Sequence, residues 1–172
     1  MHNVHVDLLA NKNLIYIPCR FTYSLAVAEN ESAEYGAYTF EVNHLKARFR
    51  VAKITPTKIG QFVTLWKRTE KGTIQPYDIS DSVDLVVIST RKDNQLGQFV
   101  FPKSVLLDKN IFSNTTQKGK LGFRVYPPWD KTLNKQAQRT QQWQLHYFLE
   151  LSVDRPIDYV RAKALYLAEG SL

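Results

Sequence analysis

Asp84 opens one apolar run, VDLVVIST, and Lys103 closes another, QFVFPK. A carboxylate and an ammonium held side by side can take part in metal-assisted hydrolysis, provided a second carboxylate completes the ligand set. Magnesium is a hard cation that demands oxygen ligands in octahedral order, and it activates water only when the protein fixes it. The position two residues before Lys103, where that second acid would serve, is Phe101. Phe101-Pro102-Lys103 offers no side-chain oxygen, so the pattern for cutting a phosphodiester begins and then fails. Asp84 and Lys103 also fit a plain cross-strand ion pair at the edge of a sheet.

Both runs are rich in β-branched and aromatic residues, and the polar KDNQLG between them is turn-prone, which predicts an antiparallel hairpin centred on Asp93 and Asn94. That centre sets Asp84 opposite Lys103 and Val86 opposite Phe101. Directly opposed and alternate residues share a face, so one face would carry Asp84, Val86, Ile88, Phe99, Phe101 and Lys103.

The charge is segregated along the chain. Lys46, Arg48, Arg50, Lys53, Lys58, Lys67, Arg68 and Lys71 stand against Glu70 alone in residues 46–76. Lys109, Lys118, Lys120, Arg124, Lys131, Lys135 and Arg139 stand against Asp130 alone in residues 109–143. The rest of the chain is net acidic, although the whole carries +7 and an isoelectric point near 9.5. Concentrated positive charge attracts a polyanion and releases its counterions, whereas the same residues spread evenly would only solvate the surface. If the fold joins the two blocks they form a patch or groove; otherwise they are two ordinary solvated faces.

The elements that carry these blocks can be placed coarsely. YGAYTFEVNHLKARFRVAKI reads as a hairpin with Asn43-His44 at its turn. In its second strand Lys46, Arg48 and Arg50 alternate with Ala47, Phe49 and Val51, which predicts one packed and one uniformly basic face. TPTKIGQFVTLWKR fits either a helix, with Phe62, Leu65 and Trp66 on one side, or a strand. KSVLLDKNIF has helical spacing. LGFRVYPPWDK begins as a strand that Pro127-Pro128 must end, since proline cannot donate to the ladder. Trp129 is then expected on a rigid, exposed turn.

A helix over roughly residues 134–151 places Ala137, Leu145, Phe148 and Leu149 on a core face and Lys135, Arg139 and Trp143 on a separate stripe. Gln136, Gln138, Gln141, Gln142 and Gln144 surround that stripe with groups able to bond phosphate, sugar or base edges. A last helix is expected to begin at Pro156, with Asp154 near its cap.

At 172 residues the chain suits a single domain over 1–172. No apolar run is long enough to span a bilayer, and the N-terminus lacks a signal-peptide pattern, so a cytoplasmic protein is expected. The single Cys19 cannot form an internal disulfide and is either an idle thiol or, beside Arg20, an activated one. His2, His5, His44 and His146 lack metal-ligand spacing, although His2 and His5 form a flexible pair that could bind metal. No nucleophile elbow, Walker loop or dinucleotide-binding glycine pattern is present, and no cofactor is expected.

The hairpin resembles the site of the PD-(D/E)XK restriction-endonuclease-like fold, in which an acid on one strand and an acid-x-lysine on its partner hold magnesium. YGAYTF, FRVAKITPTKIGQFVTLWKR, GQFVFPKSVL, GKLGFRVYPPWDK and KQAQRTQQWQLHYFL, in register over roughly residues 35–150, resemble the MepB family of small bacterial proteins. That resemblance implies an α/β (α+β) PD-(D/E)XK-like fold, a central mixed sheet flanked by helices, with degenerate catalytic acids and nucleic-acid binding as the proposed role.

Together these readings predict a non-catalytic protein that holds DNA or RNA with weak sequence specificity, leaning to single strands or RNA. Lys53, Lys58, Arg124, Lys131, Lys135 and Arg139 are the phosphate candidates, and Tyr126, Trp129 and Trp143 the stacking candidates. Two alternatives stay open. One is a magnesium-dependent nuclease whose second acid has migrated to Glu34, Asp81 or Asp108. The other is a protein-interaction module whose basic face meets an acidic partner.

Overall fold

The computed structural model describes residues 3–167, an α+β fold built on a mixed sheet. The chain opens with α1 (Val6–Asn11), which runs into a π-helical turn, Lys12–Tyr16. Strand β1 (Val27–Ala28) and a 3₁₀ turn (Ala33–Tyr35) lead to the hairpin of β2 (Tyr38–Val42) and β3 (Leu45–Val51). Its turn residues Asn43 and His44 have φ of 51° and 64°, the left-handed pair that suits the twist of a two-residue hairpin.

Short strands follow: β4 (Lys53–Ile54), β5 (Gln61–Thr64), β6 (Trp66–Arg68) and β7 (Ile74–Pro76). The ambiguous TPTKIGQFVTLWKR segment is therefore strand. Then come β8 (Leu85–Lys92), β9 (Gln95–Pro102), α2 (Lys103–Asp108), β10 (Gly122–Val125), α3 (Lys135–Gln144), β11 (Phe148–Glu150) and α4 (Tyr159–Tyr166).

Six strands form the main sheet in the order β1-β2-β3-β8-β9-β11, with β3 and β8 parallel and the other neighbours antiparallel. The register of β8 on β9 is the expected one, with Val86 opposite Phe101 and Ile88 opposite Phe99. Alternate residues feed two cores. Leu85, Val87 and Val100 join Tyr16, Phe49 and Tyr166 on one side of the sheet. Val86, Ile88, Phe99 and Phe101 join Leu106, Phe112, Phe123 and Phe148 on the other. A strand buried on both faces reads as a continuous apolar run, which is what VDLVVIS is.

A second, three-stranded sheet runs β10-β5-β4, and β6 pairs with β7. Helices lie on both sides of the main sheet: Leu8 of α1 and Ala162 of α4 join the first core, Leu106 of α2 and Trp143 of α3 the second. Among the described residues no helix is long and apolar enough to cross a membrane.

Two helix boundaries differ from the sequence reading. α3 starts where expected, capped by Asn134, whose side chain accepts from the Ala137 amide at 2.8 Å. It stops at Gln144, however, and Phe148 and Leu149 belong to β11, which pairs with Phe99 and Gln98 of β9. Their helical spacing is overridden because the open edge of β9 offers hydrogen bonds and Gly97 makes room for the Phe148 ring; a Cβ there would lie 2.2 Å from it. The last helix begins at Tyr159 instead of Pro156, because Asp158 is the residue whose carboxylate accepts from the Arg161 amide, at 3.0 Å.

Candidate functional site

At the end of the β8–β9 hairpin, Asp84 and Lys103 are paired through the backbone, the Lys103 amide donating to the Asp84 carbonyl at 3.0 Å. Their side chains part. The Asp84 carboxylate accepts from the Lys46 amide at 2.8 Å, and the Lys103 ammonium donates to the Asp81 carbonyl at 2.6 Å. The cross-strand ion pair that the sequence allowed is therefore absent among the described residues.

Phe101 is fully buried, its ring 5.4 Å from both Phe99 and Trp143. The position an acid would occupy is thus part of an aromatic core. The migrated-acid candidates are dispersed or occupied. Asp81 bonds Lys67 at 2.7 Å and the Asp78 amide at 2.8 Å, Asp108 is exposed beside Lys109, and Glu34 is exposed on the 3₁₀ turn. No three His, Cys, Asp or Glu side chains gather among the described residues. His5 caps α1 through Nδ1, and His2 lies outside the described residues. The Cys19 thiol is partly buried and pushed up by desolvation against the opposing pull of Lys163, so it is not an activated thiolate.

The two basic blocks have different fates. In the first, the face of β3 is not uniformly basic. Arg50 is 1% exposed and, with Arg48, grips the Glu29 carboxylate; Arg50 also donates to the Thr64 and Phe49 carbonyls. The Arg48 guanidinium sits 5.3 Å from the Tyr77 ring centroid. Lys67 is held by Asp78 and Asp81 and Arg68 by Glu31, whereas the exposed Lys46 donates only to the Ser82 hydroxyl and keeps its charge. A cation neutralised inside its own chain has little field left for a ligand.

In the second block Lys118, Lys120, Lys131, Lys135 and Arg139 are exposed and have no carboxylate partner among the described residues. Lys109 alone makes a contact of this kind, 3.6 Å from Asp108. The three-stranded sheet joins the two blocks here. Lys53 of β4 and Arg124 of β10 both pair in register with Phe62 of the central β5, so the three lie in one row.

The row alternates charge with aromatic surface. The Arg124 guanidinium lies 6.0 Å from the Phe62 ring centre, Tyr35 packs edge-on against Phe62, and the Lys53 ammonium stands 4.6 Å over Tyr35. Burial, and then the nearby Glu34 carboxylate, pushes the Tyr35 phenol up, keeping the ring neutral beneath its lysine. Arg124 donates to Thr55 Oγ1 at 2.7 Å and to the Ile59 and Gly60 carbonyls at 3.4 Å, which fixes its guanidinium while no carboxylate among the described residues neutralises it. Lys58 is exposed on the same 55–60 loop.

Between β10 and α3 lies a cleft of about 330 Å³, bordered by Lys109, Lys120 and Arg124, with Phe123 and Ala137 beneath and Gln136 and Thr140 on the helix side. A shallower recess of about 480 Å³ adjoins it across Trp143 and contains Arg139 and His146. No carboxylate lines either one.

The aromatic and amide candidates need correction. Trp129 is not displayed: its ring packs edge-on against Phe148 at 5.8 Å, and its Nε1 is buried. A turn made rigid by two prolines still lies on the core when an apolar face is close enough to cover it. Trp143 is half-buried, packed on Phe101, with the Lys109 ammonium 5.5 Å from its ring centre. Tyr126 remains partly exposed over Gly60.

Gln144 is fully buried and holds the Tyr126 amide and the Arg124 carbonyl, at 2.8 and 2.9 Å. Gln141 donates to the Pro127 and Asp130 carbonyls, at 2.9 and 2.8 Å. These two amides fasten the double-proline turn to α3, and Gln136, Gln138 and Gln142 are left exposed. Tyr35 precedes both basic blocks and Phe62 reads as part of an apolar face, so only the pairing of β4, β5 and β10 assembles the row.

The fold is a mixed α+β one, with a cleft and a recess whose linings carry no carboxylate among the described residues. A family model described as MepB-like matches residues 29–150, and the chain belongs to that family. A crystal structure of MepB is 35% identical and superposes with a TM-score of 0.74, covering 88% of this chain and 99% of its own. No curated protein matches the chain.

Proposed function

We propose that this MepB-like protein is a non-catalytic, cytoplasmic nucleic-acid-binding protein on a degenerate PD-(D/E)XK-like scaffold, with weak sequence specificity. The observation that carries the reading is the partition of charge. Glu29, Glu31, Asp78 and Asp81 neutralise Arg48, Arg50, Lys67 and Arg68, while Lys53, Lys58, Lys118, Lys120, Arg124, Lys131, Lys135 and Arg139 make no ion pair with a carboxylate among the described residues. A polyanion is the ligand such a face attracts, and phosphate contacts position a strand without reading its sequence.

The parallel β3–β8 step, the β8–β9 hairpin and the burial of Phe101 at the acid position support the scaffold half of the reading. Lys53, Lys58, Arg124, Lys131, Lys135 and Arg139 would contact phosphate, and Tyr126 with the Tyr35–Phe62 pair would supply aromatic surface.

Fluorescence anisotropy with matched single-stranded and duplex DNA and RNA, titrated across salt with magnesium present, tests this. Salt-sensitive binding to probes that stay intact is expected. Metal-dependent cleavage abolished by Asp84→Asn would replace the reading with a nuclease. Failure to bind any probe would leave a basic face for an acidic protein.

A further inference from the structure

We propose that the cleft between β10 and α3 receives one unpaired nucleoside phosphate presented by a nucleic-acid strand, an inference that rests on the reading above. Its size comes first. At about 330 Å³ it lies at the small end of ligand sites, which begin near 300 Å³, and is scaled to one nucleotide instead of a helical backbone.

Its chemistry is zoned to match. The buried Phe123 and Ala137 form an apolar floor for a flat heterocycle. Gln136 and Thr140 stand one helical turn apart on the same wall, and neither side chain makes a hydrogen bond among the described residues. Their donors and acceptors are free for the edge of a base. Lys120 and the pre-positioned Arg124 stand at the rim for its phosphate. Lys109, resting on the Trp143 ring, is the mobile member, since a lysine on a flexible stem can leave the ring for an arriving phosphate.

This arrangement distinguishes strands from duplexes. A base inside a duplex is stacked and paired, so it enters a cleft only after extrusion, whereas an unpaired base pays least to enter. A free mononucleotide has the same chemistry. Lys135 and Arg139, on the neighbouring stripe of α3, offer contacts that only the adjoining phosphates of a strand can use. The strand should therefore bind more tightly than its monomer.

The test compares wild type with Gln136→Trp, which fills the cleft from an exposed helical position, and with Thr140→Phe as a second filling variant. Each is checked for a native circular dichroism spectrum. In wild type, single strands should outbind duplexes of equal length, and free 5′-mononucleotides should compete only at much higher concentration. In the filled variants the single-strand affinity should fall about tenfold or more and the single-strand to duplex ratio should collapse towards one.

An unchanged ratio in folded Gln136→Trp overturns the cleft assignment alone. Mononucleotides that compete as well as the strand overturn the strand as its source. Failure of wild type to bind any nucleic acid overturns the reading it rests on.

Discussion

Replacing Lys135 and Arg139 with alanine should change how binding depends on salt more than it changes the fold. Both residues are exposed on α3, neither pairs with a carboxylate among the described residues, and alanine is a good helix former, so stability should move by no more than about 0.5 kcal/mol. The six proposed phosphate contacts, Lys53, Lys58, Arg124, Lys131, Lys135 and Arg139, make no ion pair with a carboxylate among the described residues. Each one that neutralises a phosphate on a single strand contributes about −0.7 to the slope of log K against log salt.

If all six engage, the slope reaches about −4, and affinity falls roughly 300-fold between about 50 and 200 mM salt. Removing Lys135 and Arg139 takes away about 1.4 of that slope, so the same change in salt costs roughly 50-fold. Anisotropy titrations at four or five salt concentrations resolve the difference. Lys67→Ala is the control, because Lys67 belongs to the first block and its ammonium is paired with Asp78 and Asp81 at 3.0 and 2.7 Å. A slope unchanged in the α3 double variant, or reduced equally by Lys67→Ala, would refute the assignment of the free cations to the strand.

The remaining predictions concern what the fold has already used. Phe101→Ala should cost about 3–5 kcal/mol in urea unfolding, because a ring buried among Phe99, Trp143 and Tyr147 leaves a cavity. Phe101→Asp should destabilise the protein at least as much by burying an unpaired charge, and should yield no metal-dependent cleavage of a labelled probe. Glu29→Gln should lower stability by about 3–5 kcal/mol, since it leaves buried Arg50 without a counter-charge; a loss under 1 kcal/mol would show the pair to be dispensable.

Hydrogen bonds from the Ser80 hydroxyl first, then Lys67 and the Ser80 amide, hold the Asp78 carboxyl down at about 2, against an ordinary value of 3.8. A depressed carboxyl stabilises the fold above its unfolded pKa, and that stability is lost as pH falls from about 4 through about 2. Asp78→Asn should therefore flatten the acid limb of a pH-stability curve in that window.

The parts of the fold that were legible are those set by local period and turn chemistry. The β8–β9 register followed from two apolar runs and one turn, and the β2–β3 hairpin from Asn43-His44, because a strand slipped by one residue would invert every buried side chain. What escaped depended on distant segments. The basic face of β3 is neutralised by Glu29, which precedes Arg48 by nineteen residues and lies between β1 and the 3₁₀ turn. The helical spacing of Leu145, Phe148 and Leu149 was real, but the edge of β9 captured the last two as a strand. The site was half legible: its charges were visible in the basic block, and its aromatic row was not.

That division bears on what a net charge of +7 means. Arg48 and Arg50 are costly to desolvate and persist only because Glu29 meets both, so their removal should appear in unfolding experiments. Lys135 and Arg139 cost the fold almost nothing and should appear in salt-dependent binding. The same two residue types thus form two populations that a single pair of measurements separates, urea midpoint against salt slope. If the β3 arginines altered the slope as strongly as the α3 cations, the charge of this face would be an accident of composition. If they altered only the midpoint, the unpaired cations of α3 and β10 would be the part of the molecule kept open for a ligand, and the neighbouring cleft the place to look for its nucleotide.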